Sequence, residues 1–146
     1  ALALAAFATL EPRIPNRFIA GRPFVLSVAL LLFLCLRVAR ETDVAGHIRA
    51  MGLRLREGLA SLANEHGIAI RQSGPPQMPL MLFEADLEIR KGRAFCSAAL
   101  RHGAYFHPQH NMFLSLAHRP ADIDEALQAA AHGFKAVREL EASTGR

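Results

Sequence analysis

The sequence predicts a small α+β domain, in which a short, mostly antiparallel sheet carries helices on one face. Three observations predict it. Apolar residues recur at helical spacing over 44–62 and again over 123–140. Between these stripes, "IAIRQSG" and "MPLMLFEAD" have strand character and are separated by the turn signal "PPQ". A further apolar run, Met112 to Ala117, reads as a third strand. The order from Thr42 is then helix, strand, strand, helix, strand, helix.

The elements follow in chain order. "ALALAAFATL" is uncharged and rich in good helix formers, so it reads as a buried helix or the end of one, stopped by Pro12 and Pro15. Residues 12–40 form an atypical apolar stretch. Arg13, Arg17 and Arg22 precede thirteen apolar or small residues, Phe24 to Leu36, and Arg37 and Arg40 follow. About 20 residues are needed to span a bilayer, so the run reads first as a buried core element. The other reading is an interfacial anchor, and 24–36 is the segment through which any membrane contact would occur.

Val44, Ile48, Met51, Leu55, Leu59 and Leu62 then lie on one face of a helix, with Thr42 suited to its N-cap and Gly67 to C′. Gly46, Gly52 and Gly58 each weaken that helix by roughly 1 kcal/mol against alanine, so packing must compensate. Ile68–Gly74 and Met78–Asp86 are the first two strands. Lys91–Gly103 is a short helix, and Tyr105–Phe106 a short extended piece. Pro120 opens the last helix, Asp122, Asp124 and Glu125 suit its positive end, and Ile123, Leu127, Ala130, Phe134 and Val137 form its stripe. Residues 142–146 read as a frayed tail.

Composition narrows the function. The chain is 51% hydrophobic and 21% charged, as a folded domain should be. Its net charge of +4 is carried by scattered arginines and two lysines, Lys91 and Lys135, without the basic face or run of a nucleic-acid binder. No nucleic-acid partner is expected. Cys35 and Cys96 are far apart and outside any CxxC, which suits a reducing, cytoplasmic setting.

Three of the seven histidines fall in "YFHPQHNMFLSLAH". His107 and His110 have an H-x-x-H spacing, with His118 eight residues on, but no Cys, Asp or Glu lies close in sequence to complete a ligand set, so no metal is expected. Cys96 lies mid-helix among apolar residues, and Ser115 lacks a G-x-S-x-G setting. There is no phosphate-cradling glycine loop, and neither lysine sits where its pKa would fall. No catalytic residue is assigned. By themselves the residues describe an α+β module with a loop rich in histidine, asparagine and aromatic side chains.

Two longer strings carry a resemblance. "ETDVAGHIRAMGLRLREGLASLANEHGIAI" and "FCSAALRHGAYFHPQHNMFLSLAHRPADIDEALQAAAHGFKAV" resemble the C-terminal part of class III aminotransferases, glutamate-1-semialdehyde aminomutase-like members above all. The matching positions are Leu55–Leu59, Gly67–Ile68, Gly103–Tyr105, Phe113–His118 and Asp122–Ile123. "ALALAAFATLE" is similar to the family's long helix between large and small domains. The resemblance covers Ala1–Glu11 and about Glu41–Arg138.

It implies the small domain of a fold type I, pyridoxal-phosphate-dependent homodimer acting on a small amino-acid-like substrate. The cofactor, its Schiff-base lysine, the aspartate under the pyridine nitrogen and the phosphate cup would belong to a large domain, and none has a counterpart here. His107, His110 and Asn111 become the candidate substrate contacts. The division implied is an interdomain helix end at 1–11, an insertion at 12–40, the small domain at 41–141 and the tail. In relatives the first helix runs into "ETDV" after a few residues. The extra segment is thus either a genuine insertion or non-native coding sequence at a mis-joined gene, and Pro12, Pro15 and Pro23 favour the latter. The alternative of another class is a non-catalytic binding or dimerisation module tethered by its apolar segment.

Overall fold

The computed structural model describes residues 22–144. The expected helix at 1–11, with Pro12, Pro15, Arg13 and Arg17, lies outside them. The chain divides into two units, one ending at Asp43 and one running from Val44.

The described part of the first unit is one helix, α1 (Arg22–Glu41). Its apolar side chains are exposed, Phe24, Leu26, Leu31 and Phe33 among them. That corrects the expectation that the run 24–36 is a core element. Unbroken apolarity fixes what a segment avoids, not which surface covers it.

The second unit holds α2 (Val44–His66), β1 (Ile70–Ser73), β2 (Leu80–Phe83), α3 (Arg90–Arg101) and α4 (Pro120–Thr144). Helix α2 starts at Val44, one residue later than the predicted Thr42 cap implies, and the Thr42 N–H bonds the Val38 carbonyl at the end of α1. Its end is as expected. Gly67 has φ 69°, its N–H bonds Asn64 O, and the Ile68 N–H bonds Ala63 O. This pair of bonds is a Schellman motif. Helix α3 ends in the same way at Gly103, φ 93°.

Strands β1 and β2 pair antiparallel, Ile70 opposite Phe83 and Ser73 opposite Leu80. They are the whole sheet among the described residues. The expected third strand at Met112–Ala117 is not one. The Met112 and Leu114 N–H groups do bond Pro79 O and Gln77 O. Proline has no N–H to return the bond, so the pairing stays one-sided and no ladder forms. His118, expected at the end of that strand, sits at a turn instead. At the other end of the chain, α4 continues to Thr144, where the Ser143 and Thr144 hydroxyls bond Leu140 O.

The core lies between the three helices and the sheet. Phe95 of α3 is fully buried at its centre, with ring centroids 4.9 Å from Phe134, 5.3 Å from Phe106 and 5.5 Å from Phe83. Leu55, Leu59, Ile123 and Val137 extend this cluster. Two helical glycines meet the compensation that their cost demands. A Cβ at Gly133 would collide with the Phe95 ring, and one at Gly52 with the Pro76 carbonyl. Close packing offsets their poor helix propensity. Lys91 joins α3 to α4 through Glu141, Nζ to Oε1 2.6 Å.

Candidate functional site

A cleft of about 640 Å³ opens on the second unit. One wall is the irregular segment that leaves α3, from His102 to Leu114. The other is the start of α4, and Leu55, Phe106 and Ile123 contribute apolar surface. The irregularity has local causes. Gly103 turns the chain out of α3, Pro108 shapes the loop, and Phe106 anchors it in the aromatic core. Tyr105 and Phe113, 75% and 60% exposed, are left on the cleft side.

His107, His110 and Asn111 all line this cleft. The two imidazoles meet edge to face, centroids 5.8 Å apart. His107 Nδ1 accepts the Gln109 N–H at 3.2 Å, and His110 Nδ1 lies 3.1 Å from Asn111 O, to which it donates in that tautomer. Asn111 donates from Nδ2 to the Met78 carbonyl at 2.9 Å, tying the loop to the segment before β2. One of its N–H bonds is therefore spent on structure.

The cleft also holds residues that spacing along the chain did not bring together. His102 at the end of α3, His118 in the turn before α4, and Asp122 and Glu125 of α4 line it. His118 Nδ1 accepts the Ser115 N–H at 3.0 Å and has the Ser115 hydroxyl at 2.9 Å, which puts its ring proton on Nε2. The His118 carbonyl lies 2.8 Å from His47 Nε2, a tie across 71 positions. Asp122 accepts the Arg119 N–H at 2.7 Å, three residues before it, as the returning half of a capping box does. That bond, and the Arg119 guanidinium after it, hold its carboxyl below the usual range. The sequence signal was available, since an acid at the third position of a helix can bond back to the cap. Composition alone marks Asp122 only as a charge at the positive end of the helix.

The arrangement is a polar wall of imidazoles and two carboxylates over an apolar floor. It suits hydrogen bonding to a small polar molecule. Neither lysine nor cysteine lines it. Burial pushes the Cys96 thiol up to about 11, so it stays protonated and is a poor nucleophile. Among the described residues, no three His, Cys, Asp or Glu side chains are grouped to hold a metal ion.

Comparison with known proteins places this architecture. No family model matches the chain. An aminopentol aminotransferase of Sphingopyxis macrogoltabida is 44% identical over 102 residues, 70% of this chain and 24% of that protein. A glutamate-1-semialdehyde 2,1-aminomutase of Halobacterium salinarum is 34% identical over 73 residues, 50% of this chain and 16% of that protein. The FumI protein of Sphingopyxis sp. MTA144, solved in its pyridoxal-phosphate internal aldimine form, superposes with a TM-score of 0.71 at 44% identity. That match covers 74% of this chain and 26% of FumI. The fold is that of a small domain of the pyridoxal-phosphate-dependent transferases. Within that class, the chain corresponds to a C-terminal part of a pyridoxal-phosphate-dependent aminotransferase, and it spans about a quarter or less of the relatives it matches.

Proposed function

We propose that the chain is the small-domain part of a class III aminotransferase or aminomutase that moves an amino group on amino-acid or semialdehyde substrates, with pyridoxal phosphate as cofactor. The observation that carries this is the 44% identity to an aminotransferase over 102 residues, matched by the superposition on FumI. The residues described here do not by themselves fit the cofactor. A Schiff base needs a lysine amine, but Lys91 is engaged with Glu141 and the Glu84 carbonyl, and Lys135 is exposed on α4 away from the cleft lining. The reactive amine therefore comes from elsewhere in the enzyme, and this chain supplies one wall of the substrate cleft.

In this reading residues 1–11 end the interdomain helix, 12–40 are an insertion, 41–141 are the small domain and 142–146 the tail. The enzyme is a cytoplasmic homodimer. The free thiols of Cys35 and Cys96 support the reducing compartment. His107, His110 and Asn111 are the substrate contacts, with the His107 Nε2–H and the remaining Asn111 amide N–H donating to a carboxylate. Residues 1–146 mixed with pyridoxal phosphate and an amino donor should not turn over. A cofactor-coloured, active preparation of this chain would contradict the assignment of the amine elsewhere.

A further inference from the structure

We propose that α1 is a lipid-surface anchor, which buries its apolar turns within one leaflet of an anionic membrane. Successive residues of a helix project about 100° apart. Leu26, Leu30, Leu31, Phe33, Leu34 and Leu36 therefore point in different directions around the axis, and all are exposed, Leu26 by 68% and Leu31 by 63%. A protein groove, or the matching strip of a second copy, covers one side of a helix. Apolar surface on every side calls for a surrounding apolar medium.

Charge at the ends selects the lipid. Over residues 13–41 there are five arginines and one acid, Glu41. Arg37 and Arg40 stand in the last turns, and arginines so placed can lay their stems along lipid chains and carry their heads to phosphate. Arg37 Nε is 2.7 Å from Glu41 Oε1, an exposed pair that water or a lipid headgroup competes with easily. Length sets the depth. The run 24–36 rises only about 20 Å, against a hydrocarbon core of about 30 Å. It reaches into one leaflet and does not cross, in keeping with the absence of any described helix long and apolar enough to span.

The chain contains no tryptophan, so Phe33→Trp gives the full chain a single reporter on α1. With vesicles of mixed phosphatidylglycerol and phosphatidylcholine, its emission should shift to the blue and be quenched by acyl-brominated lipid. Pure phosphatidylcholine vesicles should have a weaker effect, and high salt should reduce the difference. In co-sedimentation, Leu31→Glu and Leu34→Glu should each weaken partitioning by roughly tenfold or more, and Arg37→Gln with Arg40→Gln should reduce the preference for anionic lipid. Emission that ignores vesicles would overturn the proposal. So would emission already blue without them, which would mean that protein covers the helix. Natively expressed protein must also yield peptides from 18–37, and their absence would overturn the anchor by placing this segment outside the natural chain.

Discussion

Gly103 and Gly67 show how single residues end helices and set the path of the chain, Gly103 into the cleft and Gly67 toward β1. Both have left-handed φ, and a Cβ at either would meet nothing within 4 Å. Their requirement is thus conformational and not steric. Gly103→Ala should cost about 1–2 kcal/mol, read as a lower urea midpoint at unchanged slope. Asp122 makes a pH-dependent contribution. Its carboxyl is held below the usual range by the Arg119 N–H and guanidinium, so the folded state favours the ionised form. That stabilisation is present above the ordinary carboxylate pKa and is lost as pH falls through the lowered value. The melting temperature of Asp122→Ala should therefore trail the parent at neutral pH and converge on it in acid. The two thiols should separate as well. Cys35 is exposed, whereas burial raises the Cys96 thiol to about 11, so alkylation followed by peptide mapping should label Cys35 first.

At the scale of elements, the aromatic cluster joins α3, α4, β2 and the cleft segment through one side chain. Phe95→Ala should cost about 3–5 kcal/mol in chemical denaturation, because its ring touches Phe83, Phe106 and Phe134 together. Loss of less than about 1 kcal/mol would mean that the cluster does not organise the core. The helices were legible because burial follows their stripes. Met51, Leu55 and Leu59 on α2, and Ile123, Phe134 and Val137 on α4, are the buried positions that periodicity selected. The run 112–117 misled because strand character says nothing about a partner. Its partner contains Pro79, which accepts a bond and returns none. The apolar run of α1 misled for a related reason, since composition does not record what lies alongside.

At the scale of the whole molecule, the histidine loop was visible as a string but the cleft was not. His107, His110 and Asn111 are neighbours in sequence, whereas Asp122 and Glu125 join them only because α4 packs across α3. The His47 tie to the His118 carbonyl is equally tertiary. In the complete enzyme, His110→Ala should raise KM for the amino-acid substrate with little change in kcat, the mark of binding shared by ground and transition states. Unchanged kinetics would remove the loop from the site. The central claim, that residues from Val44 onward are a working small domain of an aminotransferase, is tested most directly by grafting Val44–Thr144 in place of the matching segment of FumI and measuring amino transfer. The account predicts a folded, cofactor-loaded chimera that turns over. A chimera that folds and binds pyridoxal phosphate but transfers no amino group would contradict it.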